Sequence, residues 1–238
     1  MPATVAVIEG RLKVGLNDDE LQSLASGGAV KVSSRDLGPA IAGDRLGATT
    51  VAASVRAAML AGIRFFATGG IGGVHRRHPE DESADLEEIA RSPVAVFCAG
   101  AKIILDLRLT LERLESLAVP VLGFATDEFP AFYTSRSGCP VSARVEDAED
   151  AARVLRATWS TGAHGVVVAI PPPHDLDGAE EMARRAAADL GDLSGAAVTP
   201  RLLARMAELS DGRSLDLNVE LVVNNARVAA QVAREFFG

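Results

Sequence analysis

Lysine is scarce in this sequence, and one lysine stands where an amine could do chemistry. Lys13, Lys31 and Lys102 are set against 21 arginines. Lys102 follows the apolar run VAVFCAGA, and the pattern after it predicts a helix from Lys102 to about Leu117. An amine among apolar neighbours at a helix N-terminus has a lowered pKa, and unlike a guanidinium it can attack a carbonyl. The pattern therefore indicates either a Schiff-base nucleophile or a surface lysine whose stem packs on apolar neighbours.

A glycine-rich turn at residues 68–73 (TGGIGG) follows the predicted strand IRFFAT and could form a second part of a site. Its backbone amides could approach an anion or a sugar because few side chains intervene. The glycine spacing matches neither the dinucleotide-binding fingerprint nor a P-loop. A plain turn that ends the strand is the alternative interpretation.

The histidines and carboxylates after this turn could bind a metal ion. His75 and His78 lack the spacing of a zinc site, and the residues beyond them supply hard oxygen ligands: Glu80, Asp81, Glu82 and Asp85. Such oxygens suit Mg²⁺ or Mn²⁺ held by one carboxylate, substrate oxygens and waters. The alternative is a solvated acidic loop in which Ser83 caps the helix ADLEEIA. The amides at the start of that helix would also favour a phosphate.

Two further segments carry polar or aromatic groups that could face a ligand. Asn224 and Asn225 interrupt the apolar pattern of the last predicted helix, and Asn218 precedes them. These amides predict either contact with the edge of a ring-shaped ligand or a structural hydrogen bond within the fold. The segment TDEFPAFY, residues 126–133, resembles an exposed aromatic cluster, which predicts a pocket wall or a subunit contact.

The elements that must position these groups alternate between strand and helix patterns through the middle of the chain. We therefore predict one α/β domain over residues 1–238, a three-layer α/β/α sandwich with a mainly parallel central sheet. In such folds ligands bind outside the carboxyl ends of the strands. Lys102 and the glycine-rich turn should meet at that edge.

Composition limits the class of protein further. The net charge of -8 disfavours a nucleic-acid partner, because such proteins carry a basic face. Cys98 and Cys139 offer neither a disulfide framework nor zinc spacing. We find no secretory signal and no apolar run of membrane-spanning length, so we expect a cytoplasmic protein with no membrane partner.

Long motifs spread over nearly the whole chain resemble the pseudouridine-5′-phosphate glycosidase family. They include FATGGIGGVHR, SADL, CAGAK, TLERLE, VPVLGF, TDEFPAFY and SLDLNVELVVNNARVAAQVA. The resemblance implies an α/β/α enzyme that assembles as a homotrimer and uses Mn²⁺ (or Mg²⁺). It also implies a lyase that reversibly cleaves the C–C glycosidic bond of pseudouridine 5′-phosphate, giving uracil and ribose 5-phosphate.

The resemblance also implies a role for particular residues. Lys102 would be the nucleophile that forms an imine with C1′ of the ring-opened sugar, and Asp81 would hold the metal. The substrate would contact a further set of residues, of which the last would meet the base: Lys31, the backbone near Val51, Ser83, Ala84, Asp85 and Asn225.

The chain departs from the family pattern in ways that leave the activity open. Family members carry a further N-terminal strand with a Glu-Ser-Thr motif whose glutamate is the proton donor, and we expect the domain at residues 1–238 to lack it. Loss of a general acid lowers a rate by about 10²–10⁴-fold. Arg77 stands where glycine is usual. Two alternatives therefore remain: a C-glycosynthase that joins ribose 5-phosphate to an aromatic natural-product aglycone, and a non-catalytic sugar-phosphate-binding remnant.

Overall fold

The structure, a computed structural model, describes residues 2–76, 78–190 and 198–238, so Arg77 lies outside the described residues. Its N-terminal part contains four short strands and three helices. In chain order these elements are β1 (Val5–Ile8), β2 (Arg11–Val14), α1 (Asp18–Ala25), β3 (Val30–Val32), α2 (Leu37–Ala42), β4 (Gly47–Thr49) and α3 (Val51–Leu60), with a 3-10 turn at Ser34–Asp36 before α2.

The rest of the chain continues the alternation of strands and helices. Its elements are β5 (Phe65–Ala67), β6 (Val74–His75), α4 (Ala84–Arg91), β7 (Ala95–Cys98), β8 (Leu105–Asp106), α5 (Leu107–Ser116), β9 (Val121–Phe124), β10 (Ala143–Val145), α6 (Ala148–Ser160), β11 (Val166–Ala169), α7 (Ala179–Asp189), α8 (Val198–Leu209) and α9 (Arg213–Phe237). No helix in the described ranges is long and apolar enough to cross a membrane.

A five-stranded parallel sheet forms the middle layer, in the order β10-β9-β11-β7-β5. Side chains alternate between its two faces, as the pleat of a strand requires. In β7, Val96 and Cys98 join the core beneath α3, α4 and α5, whereas Ala95 and Phe97 join the core beneath α6 and α9. Helices therefore cover both faces, and the predicted three-layer sandwich with a mainly parallel sheet is confirmed.

The N-terminal strands form a separate sheet that we did not predict. Its order is β2-β1-β4-β3, with β1 antiparallel to both neighbours and β3 parallel to β4. A tight hairpin turn joins β1 and β2, with positive φ values at Glu9 (49°) and Gly10 (66°). The carbonyl of Val32 accepts a hydrogen bond from the amide of Thr50 (2.9 Å), so the end of β3 lies beside the start of α3.

The helix predicted to begin at Lys102 begins instead at Leu107, capped by Asp106, whose side chain accepts a hydrogen bond from Leu109 N. Parts of the segment before it pair instead with residues 71–75. Ala101 forms a parallel bridge with Ile71, and β8 runs antiparallel to β6. These long-range backbone hydrogen bonds outweigh the local helix pattern, so Lys102 lies in a turn.

Candidate active site

The carboxyl ends of β5 and β7 continue as two irregular segments that stay hydrogen-bonded to each other. The Ala99 amide donates to the Gly69 carbonyl (2.8 Å), and the Ile71 amide donates to the Gly100 carbonyl (3.0 Å). The Lys102 amide then donates to the Ile71 carbonyl (3.2 Å). The glycine-rich turn and the segment of Lys102 therefore meet at one edge of the sheet, as the sequence predicted.

Lys102 lies where these two segments meet, and most of its side chain is shielded from solvent. Burial lowers the pKa of its amine, because the charged form loses hydration. The Asp85 carboxylate opposes this change, and the Lys31 ammonium adds to it. Our expectation that a helix macrodipole also lowers this pKa is wrong, because no helix begins at Lys102. A lowered amine pKa is what a lysine nucleophile requires, because only the neutral amine attacks a carbonyl.

Two glycines of these segments, Gly70 and Gly100, are needed for close packing. Gly100 has a φ of 79°, and a Cβ there would lie 1.8 Å from the Pro130 carbonyl oxygen. A Cβ on Gly70 would lie 2.5 Å from Cδ2 of Phe132. Real Cβ contacts are longer than either distance, so a larger residue at either position would displace the segment of residues 130–132.

Several amides of the glycine-rich turn already have partners within the protein. Those of Ile71 and Gly72 donate to the Gly100 carbonyl and to the Asp85 carboxylate. The amide of Val74, which directly follows the turn, donates to Thr110 Oγ1 (3.0 Å). The predicted anion cradle does not extend to these three amides, whose hydrogen bonds hold the turn in place.

Asp85 is a buried carboxylate, 5% exposed, at the start of α4. Its Oδ1 accepts a hydrogen bond from Ala52 N (2.8 Å), and its Oδ2 accepts one from Gly72 N (2.8 Å). Asp85 therefore ties the first turn of α3, where Val51 lies, to the glycine-rich turn. Ser83 caps α4 as predicted, since its Oγ accepts a hydrogen bond from Asp85 N (3.3 Å).

Lys31 and Asp81 lie at the more exposed margin of this site. Lys31 is on β3 and is exposed, yet its charge acts on the Lys102 amine. The Asp81 side chain is 42% exposed, with one oxygen 3.9 Å from His75 Nε2. Within the described part of the chain, no group of three His, Cys, Asp or Glu side chains is arranged to hold a metal ion. A cation at Asp81 would thus take most of its ligands from water or substrate, which suits Mg²⁺ and Mn²⁺.

Asn225 reaches the same edge of the sheet from α9. Its side chain is fully buried, and its Nδ2 donates a hydrogen bond to the Thr68 carbonyl (2.8 Å). Among the described residues its Oδ1 has no hydrogen-bond partner. The structural hydrogen bond that we considered is therefore present, while the unpartnered oxygen leaves an acceptor for a ligand group.

Phe132 is a residue of this region whose position we did not predict. The segment of residues 126–133 was expected to expose its aromatic side chains, but Phe129, Phe132 and Tyr133 are buried. The Phe132 ring packs against Gly70, and the φ of Phe132 is 65°, which is rare for this residue type. No sequence spacing signals this contact, because it joins segments far apart in the chain.

Comparison with known proteins shows which proteins this chain is similar to. The chain is 52% identical over 246 residues to the pseudouridine-5′-phosphate glycosidase of Deinococcus radiodurans, covering 99% of this chain and 79% of that protein. It superposes with a TM-score of 0.89 on the prealnumycin C-glycosynthase AlnA, solved in complex with ribulose 5-phosphate, at 38% identity over 99% of this chain and 81% of that one.

A second solved structure is an indigoidine synthase A-like protein from Thermotoga maritima, with a TM-score of 0.90 and 31% identity, covering 97% of this chain and 79% of that one. The sequence profile of the indigoidine synthase A-like proteins matches residues 1–235. This chain therefore belongs to the indigoidine synthase A-like family.

Proposed function

We propose that the protein is a pseudouridine-5′-phosphate glycosidase that reversibly cleaves the C–C glycosidic bond of pseudouridine 5′-phosphate to uracil and ribose 5-phosphate. The observation that carries this proposal is the shielded Lys102, whose amine pKa is lowered by burial at the joined ends of β5 and β7. The relative from Deinococcus radiodurans bears the same name. A lyase of this type needs an amine that can exchange between the free form and an imine.

Lys102 acts as the nucleophile in this proposal. In the direction of synthesis its neutral amine adds to C1′ of open-chain ribose 5-phosphate, the carbonyl oxygen leaves as water, and an imine forms. The protonated imine then accepts the electron pair of the uracil carbon as the C–C bond forms, that carbon releases its proton, and the sugar 4′-hydroxyl closes the ring on C1′ and releases the Lys102 amine. In cleavage the steps run backwards: the Lys102 nitrogen supplies the electron pair that makes C1′ an iminium, while the base carbon leaves with the C–C bonding pair and takes up a proton.

The remaining residues bind and orient the substrate in this proposal. Lys31 supplies a positive charge for the sugar phosphate, and the first turn of α3 supplies backbone near Val51. Residues 83–85, which comprise Ser83, Ala84 and Asp85, line the sugar side at the start of α4. The unpartnered Oδ1 of buried Asn225 accepts a hydrogen bond from the base. These segments lie together in the structure, which supports assigning them to one ligand.

A divalent cation, Mn²⁺ or Mg²⁺, belongs to the same proposal, with Asp81 as its protein ligand. An exposed carboxylate with hard oxygen donors fits such an ion. When bound, the ion would supply positive charge to substrate oxygens.

We also propose that the protein forms a homotrimer. The exposed apolar stripe of α9 supports contact between copies of this chain, and it comprises Leu215, Val219, Val222 and Val223. Light scattering on the wild type and on a Val219→Glu variant tests this point, and a monomeric wild type would contradict it.

Trapping with borohydride tests the proposed nucleophile. Reduction in the presence of ribose 5-phosphate should attach one sugar phosphate to Lys102, located by peptide mass spectrometry. A Lys102→Arg variant should lose the adduct because guanidinium does not form an imine. The matched control is Lys13→Arg, since Lys13 pairs with Glu20 in the N-terminal part of the chain. An adduct on another lysine, or none in the wild type, contradicts the proposal.

The likeness to the C-glycosynthase supports one second candidate, the attachment of ribose 5-phosphate to an aromatic aglycone. The same imine serves both reactions, so the acceptor distinguishes them. Incubation of ribose 5-phosphate with uracil should give pseudouridine 5′-phosphate. Product only with a phenolic acceptor would favour the synthase. Binding of the sugar phosphate without any adduct would instead indicate a non-catalytic remnant.

A further inference from the structure

Asp85 has a set of contacts that substrate lining alone does not explain. It is a carboxylate 5% exposed, and each of its oxygens accepts a hydrogen bond from a main-chain amide of a different element. A buried charge is costly unless hydrogen bonds or an opposite charge compensate it. The Ala52 and Gly72 amides are neutral dipoles, so they supply only part of this compensation.

The Ile71–Gly72 peptide group connects Asp85 to Lys102. Its carbonyl oxygen accepts a hydrogen bond from the Lys102 amide (3.2 Å), and its N–H donates to Asp85 Oδ2 (2.8 Å). One planar peptide therefore holds the backbone of the lysine on one side and the carboxylate on the other. A shift of the carboxylate would move this peptide and, with it, the base of the lysine side chain.

Among the described residues, Asp85 and Lys31 are the charged groups that act on the Lys102 amine. Lys31 is exposed on β3, whereas Asp85 is enclosed beside the glycine-rich turn. Solvent screens the exposed charge of Lys31 more strongly, so the buried Asp85 carboxylate has the stronger electrostatic effect on the Lys102 amine. It is therefore a negative group available to Lys102 when the lysine carries a positive charge.

We propose that Asp85 is the counter-ion of the protonated imine at Lys102 and also the positioning residue that holds the Ile71–Gly72 peptide beneath it. This inference rests on the proposed function, since it needs an imine at Lys102. Asp85 keeps the iminium protonated while the C–C bond forms or breaks. The carboxylate acts through the lysine and moves no proton of its own.

The pH dependence of borohydride trapping separates this role from a purely structural tie. In Asp85→Asn the carboxamide oxygen can still accept one amide hydrogen bond, but the negative charge is gone. Loss of the negative charge destabilises the Lys102 ammonium. The pH at which the trapping yield rises should therefore be lower by about one unit. The trapping yield on the plateau should fall about tenfold, because the iminium has lost its partner.

Asp147→Asn is the matched control. Asp147 caps α6, so this variant makes the same change of charge and also removes a carboxylate that accepts an amide hydrogen bond. Its trapping profile should overlay that of the wild type. An Asp85→Asn variant that folds and traps with the wild-type pH dependence and yield would overturn the counter-ion role, while leaving the proposed function intact. The absence of any adduct in the wild type would overturn both.

A measurement on the wild type keeps the inference testable if Asp85→Asn does not fold. Infrared difference spectra of the wild-type imine with ribose 5-phosphate should show a C=N stretch that moves to lower frequency in D₂O. This isotope shift marks a protonated imine and should persist to pH 8. A C=N stretch that is insensitive to D₂O at pH 7 and 8 would mean that the imine is neutral, and would overturn the proposal.

Discussion

Replacing Gly72 by alanine tests the packing of the site most directly. A Cβ at this position would lie 2.2 Å from Ser83 Oγ, 2.5 Å from Ser83 Cβ and 2.8 Å from Asp85 Oδ2. Favourable contacts between heavy atoms begin at roughly 3.5 Å, so both neighbours would have to move. Because Ser83 caps α4 and Asp85 accepts the Gly72 amide, this movement disturbs a cap and a buried hydrogen bond at once.

The expected cost follows from these two effects. Overpacking a buried site costs about 1–3 kcal/mol. Weakening a hydrogen bond to a charged group costs about 1.5–3 kcal/mol. Together they predict that Gly72→Ala lowers the free energy of unfolding by about 2.5–6 kcal/mol, a large part of the roughly 5–15 kcal/mol that stabilises a typical domain.

Urea unfolding at one fixed protein concentration, followed by circular dichroism and by the fluorescence of Trp159, measures this change. Gly38→Ala is the matched control. Neither Gly38 nor Gly72 has φ in the left-handed region, but a Cβ on Gly38 would meet nothing within 4 Å. Since Gly38 lies in α2, the control should be neutral or up to about 1 kcal/mol more stable. A Gly72→Ala variant within about 0.5 kcal/mol of the wild type would refute the packing argument.

Two further predictions concern groups outside the site. Burial raises the pKa of Cys98 to about 12, so only about 10⁻⁴ of it is thiolate at pH 8. A thiol reagent should therefore label partly exposed Cys139 first and Cys98 only after unfolding, and rapid double labelling of the native protein would contradict this. Arg56→Ala should cost about 3 kcal/mol in urea unfolding, because the Glu88 carboxylate that it binds is buried. Arg91→Ala removes an exposed ion pair and should cost less than about 1 kcal/mol, so equal costs for the two variants would count against the reasoning.

The family and the α/β/α layers were predictable because they depend on patterns that a single chain displays. Alternating strand and helix patterns predicted a parallel sheet covered on both faces, and the structure agrees. The second sheet was not predicted, since its strands have only three or four residues each and two of its pairings cross intervening helices. Short strands carry little periodicity, so their partners are set by contacts that the local pattern does not encode.

The candidate site also combines features that the sequence predicted with features that only the structure revealed. The scarcity of lysine drew attention to Lys102, but the reason first given for its lowered pKa included a helix that begins only at Leu107. Burial, the other reason given, is the main cause. The apolar run before the lysine was visible in the sequence, whereas the contact of Lys102 with the glycine-rich turn joins segments distant in the chain.

The sequence by itself determined the features that depend on residues a few positions apart. The cap of α4 by Ser83 formed where it was predicted, because a cap needs only its own first turn. The capping box of Asn17 with Glu20 at the start of α1 depends on equally local residues. Tertiary structure alone decided that Asp85 joins Ala52 to Gly72 and that Asn225 reaches the end of β5. These contacts connect segments distant in the chain, and they form only when burial of the core brings the segments together.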